Sequence, residues 1–237
     1  MPNFLLLRLR GPMAAYGGVR IGQRPGLHPF PLVSSITGLL ANAQGWRHTD
    51  ADRLTDLQDR LRIAVRRDHG HQETDFQTAD LGTPWMVGPM WTRDGEPFHR
   101  AGSQDKKTGK EVMLRPYLAD AAFAVAVWSR STDHPLDVEA LAEALRHPAR
   151  PLFLGRTSCP PSEPIFAGLI DAPDPLTALA AVPPPDGRPP GPVALPLEAG
   201  ALPAPGTETL IVADRRDWQT QRIGGSTVYV WQEATPC

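Results

Sequence analysis

An α+β domain, with helices over one face of a sheet, is the fold class this sequence predicts. Strand-like stretches recur at residues 4–10, 61–67, 121–129 and 165–170. Helix-like spacing of threes and fours fills the gap after the first strand and the gap after the third. Proline then takes over, with 14 of the 27 prolines between Pro160 and Pro205. The order is strand, helices, strand, long insertion, strand, helix, strand and further strands. That order suits a ferredoxin-like unit with a small C-terminal β appendage.

Each element has its own reason. In residues 4–10, Leu5, Leu7 and Leu9 point one way while Arg8 and Arg10 point the other. If helices cover the leucine face, the arginines rim a free face. Residues 11–31 read as a glycine- and proline-bearing loop. Ser34 or Ser35 can cap a helix reaching residue 44, closed by Gly45. A second helix at 50–61 carries Leu54, Leu57 and Leu61 on one side. Residues 61–67 alternate again, with Ile63 and Val65 inward. From 68 to 116 apolar periodicity disappears, which predicts an inserted extended hairpin or loop, and such long insertions are often functional. Residues 121–129 (AAFAVAVWS) read as a central strand. Asp137 caps a helix over 138–146. Residues 151–154 read as a short strand, 173–206 as a proline-rich linker or loop, and 209–213 and 226–231 as closing strands. The predicted organisation is therefore a main domain over 1–172, the linker, and C-terminal strands over 207–237 that pack on it.

Charge is distributed unevenly. The formal net charge is −2, yet residues 1–49 hold Arg8, Arg10, Arg20, Arg24 and Arg47 and no acidic residue. All three lysines, Lys106, Lys107 and Lys110, fall within five positions on the descending arm of the insertion. A near-neutral total can conceal a basic face, which points to an anionic partner. No apolar run approaches the ~18 residues of a membrane span. The N-terminal apolar stretch is broken by arginine too early for a signal peptide, so a cytoplasmic location is expected. Cys159 and Cys237 give neither a disulfide framework nor zinc spacing.

Catalytic and cofactor motifs are lacking: HExxH, paired CxxC and the Walker-type GxxxxGK[ST] do not occur, and GGVRIG departs from GxGxxG. No metal, cofactor or catalytic residue is assigned. Phosphate binding has more support. In GRTS, Arg156, Thr157 and Ser158 follow a strand, and a guanidinium with hydroxyl and backbone donors suits a phosphate. A turn whose hydroxyls cap local backbone satisfies the same spacing. Tyr16, in a basic loop, offers either a stacking surface for an unpaired base or a core plug.

Four segments resemble the Cas-five family of CRISPR-associated proteins: LRLRGPMAAYG at 7–17, PLVSSITGLLANAQG at 31–45, LRPYLADAAFAVAVW at 114–128 and PLFLGRTSCPPSEPIF at 151–166. The last is similar to the Leu-Gly-Arg-x-Ser-Cys-Pro signature of type I-E members. The resemblance covers residues 4 to about 170 in order. Departures are Ala14 and Tyr16 where the family often has Gln and Trp, and Leu32 and Val33 where it tends to have Thr and a basic residue.

The resemblance implies a fold of the RNA-recognition type with a protruding hairpin thumb, here residues 68–116. It implies a non-catalytic subunit of the Cascade surveillance complex in antiviral defence. Such a subunit binds the 5′ handle of the crRNA, caps the backbone filament, contacts the large and backbone subunits, and meets target DNA only through the complex. The RNA-binding set expected here is Arg8, Arg10, Tyr16, Arg24, Ser34, Ser35, Lys106, Lys107, Lys110, Arg115, Arg156, Thr157 and Ser158. Type I-C relatives imply a competing activity, a metal-independent endoribonuclease on repeat RNA using Tyr16, His28 or the lysines. A protein–protein adaptor with incidental basic residues is a third possibility.

Overall fold

The computed structural model describes residues 3–21, 24–80, 90–91, 97–98, 110–197, 201–203 and 207–232, with backbone alone at 3, 19–21, 24–25, 77–80, 90–91, 97–98 and 110–113. In chain order the elements are β1 (Asn3–Ala14), β2 (Gly17–Ile21), β3 (Arg24–Leu27), α1 (Val33–Ala43), α2 (Ala51–Arg60) and β4 (Leu61–Asp80). Then come β5 (Met90–Trp91), β6 (Pro97–Phe98), β7 (Lys110–Ser129), α3 (Val138–Arg146), β8 (Phe166–Asp171) and α4 (Pro175–Ala180). A 3-10 turn, Pro185–Gly187, precedes β9 (Val193–Pro196), β10 (Glu208–Asp217) and β11 (Arg222–Gln232).

Seven strands form one sheet in the order β10-β11-β9-β4-β7-β1-β8, and every neighbouring pair is antiparallel. The chain is thus a mixed α/β protein built on an antiparallel sheet with few helices. The alternation in β1 decides its faces. Leu5, Leu7 and Leu9 are fully buried beneath Ile36 and Leu40 of α1, Leu54 and Leu57 of α2, and Leu141 and Leu145 of α3. At roughly 1.5–3 kcal/mol for each large apolar side chain removed from water, this layer is the main source of stability.

The opposite face is not free, contrary to expectation. Phe4, Leu6, Ala64, Ala124 and Ala126 make a second cluster covered by Ala178 and Leu179 of α4 and by Val182. The proline-rich stretch supplies this cover. Asp174 caps α4, accepting from the backbone N–H groups of Leu176 and Thr177 at 2.8 and 2.9 Å, and Pro175 takes the first helical position. The cover is pinned by Arg66, a buried cation on β4. Its Nε donates to Asp68 at 2.6 Å and its two Nη groups donate to the carbonyls of Leu179 and Val182 at 2.7 and 2.6 Å. Pairing with full hydrogen bonding is what makes a buried charge tolerable.

Several elements depart from expectation. β1 runs on through Gly11 and Pro12 to Ala14, and β2 and β3 pair as a hairpin where a loop was expected. A Cβ at Gly11 would meet Leu154 and the Pro160 carbonyl at 2.9 Å each, so glycine permits the close approach. Neither Ser34 nor Ser35 caps α1. Leu32 is the N-cap and no side chain bonds there. Residues 151–154 form no strand, although Ala15 N–H donates to the Leu154 carbonyl at 2.9 Å. In the insertion, β4 continues to Asp80 and β7 begins at Lys110, paired from Leu61↔Ser129 to Asp80↔Lys110. Register shifts fall at Arg67–His69 and His69–His71, around Gly70 with its positive φ of 134°. Beyond them residues 71–76 are exposed on both faces, so no core enforces alternation. No helix among the described residues is long and apolar enough to cross a membrane.

Candidate nucleic-acid interface

One loop, residues 154–165, builds the site by lying along β1. Arg8 N–H donates to Ile165 at 2.8 Å, Ser162 N–H donates to Arg10 at 2.8 Å, and Ala15 donates to Leu154. The GRTSC turn sits at one end of this seam. Leu154 N–H donates to the Cys159 carbonyl at 2.7 Å and Cys159 N–H to that of Arg156 at 2.9 Å. Gly155 has φ +93°, and a Cβ there would collide with the carbonyl oxygen of Ala15. The turn is therefore tight and held against the end of β1.

From this turn Arg156 reaches the start of the β7 core segment. Its Nη1 donates to the Pro116 carbonyl at 3.2 Å, and its guanidinium carbon lies 4.8 Å from the centre of the Tyr117 ring, a cation–π contact. None of the described ion pairs includes Arg156. Ser158, Arg156 and Arg115 all act on Tyr117. Hydrogen bonding from Ser158, then the Arg156 guanidinium and Arg115, favours the phenolate and pulls the Tyr117 pKa below its ordinary value against the opposing effect of burial. Arg115, Arg156 and Ser158 are thus neighbours of one phenol, with the Arg156 guanidinium over its ring, and together they form a cluster of donors that can serve an anion. Thr157 and Ser158 are exposed beside it.

The remaining expected residues divide. Arg8 and Arg10 occupy the β1 face as expected, 37% and 38% exposed, but both are paired. Arg10 Nη2 donates to both Asp186 oxygens, at 2.9 and 3.2 Å, and Arg8 lies 3.7 Å from Glu163. A cavity of about 190 Å³ lies over them, lined also by Phe123, Glu163, Pro184 and Pro185. Arg10 lies on β1, and the Arg156 turn is held at Ala15, one residue past the end of β1 and five residues from Arg10, so the two cationic positions are separated by roughly 17 Å at strand rise.

Tyr16 is not a stacking platform. It is 2% exposed and packs edge-on against Phe123, with ring centres 5.8 Å apart. Burial pushes its pKa far above the usual value. Ser34 and Ser35 lie half-buried in the first turn of α1, which holds no acidic residue. Lys106 and Lys107 lie outside the described residues. Arg24 opens β3 and Lys110 opens β7, but their side chains lie outside the description.

Sequence reasoning overlooked Tyr117, although Arg115 and Tyr117 are two apart on a strand and so share a face. It also overlooked Glu163 and Asp186, which no spacing in the sequence connects to β1. Among the described residues no group of His, Cys, Asp and Glu is arranged to hold a metal.

The profile of the family described as CRISPR-associated protein (Cas_Cas5) matches residues 4–227, nearly the whole chain. The chain belongs to this family. Membership is reinforced by 34% identity over 181 residues, 76% of both chains, to the protein named CRISPR system Cascade subunit CasD of Escherichia coli (strain K12). Among solved structures the Cas_Cas5 chain is similar to one titled CRISPR RNA-guided surveillance complex, with a TM-score of 0.69, 28% identity and coverage of 99% of this chain and 91% of the other. It is also similar to one titled Crystal structure of Cas protein, with a TM-score of 0.59, 26% identity and coverage of 98% and 95%.

Proposed function

We propose that this chain is a CasD-type subunit of a CRISPR RNA-guided surveillance complex, binding the 5′ handle of the crRNA without cutting it. The observation that carries this reading is the fit of 99% of the chain to a chain of such a complex at a TM-score of 0.69. The donor cluster of Arg115, Tyr117, Arg156 and Ser158 is the most suitable place for a handle phosphate, with Thr157 beside it. Arginine donates bidentately to phosphate, and the seam along β1 gives an unpaired strand an edge to follow. The core is read as ferredoxin-like, supported by helices joining β1 to β4 and β7 to β8 and by the antiparallel order β4-β7-β1-β8. The β4–β7 ribbon is read as the thumb, and β9, β10 and β11 as the appendage. The large and backbone subunits of a cytoplasmic Cascade are the protein partners, and target DNA is reached through them.

The test is retention of cognate repeat RNA by the purified chain in EDTA. The intact chain retains RNA uncut, and Arg156→Ala weakens retention and lowers the salt slope by about 0.7, the contribution of one phosphate contact on a single strand. Site-specific cleavage would replace the scaffold reading with an endoribonuclease, and an unchanged slope would remove Arg156 from the interface.

A further inference from the structure

Residues 183–190 cross the β1 face with both ends fixed and the middle barely attached. At one end Val182 is buried and its carbonyl accepts from Arg66. At the other, Gly191 N–H donates to Asp68 at 3.3 Å and the Pro192 carbonyl accepts from Arg67 N–H at 2.9 Å. A Cβ at Gly191 would collide with the Arg67 carbonyl, so this anchor admits only glycine. Between the anchors, the Arg10–Asp186 pair is the one described hydrogen bond or ion pair that ties the segment to the sheet. Asp186 is 61% exposed at its side chain, and it holds φ at +56°, a left-handed conformation that an L residue adopts at a cost. The segment leaves the cavity of about 190 Å³ between itself and the sheet unfilled.

We propose that residues 183–190 are a strap that closes an anion site at Arg8 and Arg10, with Asp186 holding the place a phosphodiester of the guide strand takes when the strap lifts. This rests on the RNA-binding reading and adds a second, gated contact to it. The carboxylate offers Arg10 two oxygens, as a phosphate does. An exposed ion pair is a weak hold, whereas a strand already engaged at Arg156 brings its next phosphates to β1 at high effective concentration. The prolines flanking Asp186 restrict the freed segment, so the strap is biased to fall back when the anion leaves.

The experiment compares four full-length proteins (wild type, Asp186→Asn, Arg10→Ala and the double variant) for binding of a short single-stranded RNA of the cognate repeat sequence over a salt series. Asparagine keeps tolerance for the left-handed backbone and removes the charge. Asp186→Asn is expected to bind several-fold tighter with a slope steeper by about 0.7, and Arg10→Ala is expected to cancel that gain. A gain that persists in the double variant would mean a general loss of negative charge and would overturn the strap. No gain would also overturn it, while wild-type binding that Arg156→Ala impairs would leave the RNA reading standing. A wild type that holds no RNA would remove both.

Discussion

A methyl group on Gly155 would run into the Ala15 carbonyl, and the residue already holds φ at +93°. Gly155→Ala is therefore expected to destabilise the chain by about 1–3 kcal/mol, read as a lower denaturant midpoint at unchanged m-value. Tyr16 gives the opposite result. Its hydroxyl is buried without a hydrogen-bond partner among the described residues, so Tyr16→Phe removes an unsatisfied polar group and leaves the packed ring. Stability should hold or rise by up to about 1 kcal/mol, with RNA retention unchanged. A marked loss of retention would return Tyr16 to the interface. The sequence could not separate the two tyrosines, because an aromatic in a glycine-bearing loop fits either role. The turn that carries Arg156 was legible, since glycine and hydroxyl neighbours favour one after an apolar stretch. The aromatic partner of Arg156 comes from a strand about forty residues earlier, and that pairing is created only by folding.

Among elements, α3 was read correctly to its ends because every local signal agrees. Asp137 accepts from Ala140 N–H at 2.9 Å, and Val138, Leu141, Ala142 and Leu145 form the buried side. Asp137→Ala should cost about 1 kcal/mol through the lost cap, measurable as a lowered melting temperature with the RNA slope intact. Helix α1 was legible in body and not in its start. Ser34 and Ser35 are good capping residues, but burial of Leu32 and Val33 draws the first turn forward, so packing outweighs the cap. The β4–β7 ribbon illustrates the limit of periodicity. Alternation reports a buried face rather than a strand, so it fades where the ribbon leaves the core while the ladder continues. The short strand expected at 151–154 failed for a related reason: Leu154 is buried, but the segment docks through single bonds instead of a ladder.

For the whole molecule, the helix-covered face was foreseeable from β1 alone, whereas the cover on the other face was not. A proline-rich stretch reads as solvated, and here Val182, Val193, Ala194 and the short α4 turn it inward. His28 gives the assembled fold a dependence on pH. Its burial disfavours the imidazolium and lowers its pKa from 6.5, with Asp214 partly offsetting that. The unfolded chain then binds more protons, so this contribution is lost as pH falls through 6.5 toward the folded value. Asp214, raised from 3.8 by burial, acts in the opposite sense, its contribution being lost as pH rises from 3.8. The stability difference between wild type and His28→Asn should therefore shrink from pH 7.5 to 5.5 in chemical denaturation. A constant difference would show that His28 keeps its ordinary affinity for protons. The seven-stranded sheet also has a weak seam. β9 meets β4 through only two ladder pairs, Val65↔Ala194 and Arg66↔Val193, while Phe30 reaches the C-terminal hairpin from the helix side by packing on Tyr229 and Trp231. Cooperativity has little backbone to travel through at that joint. Amide exchange should accordingly find β9–β11 opening as a separate unit before the strands around β7 release their protons.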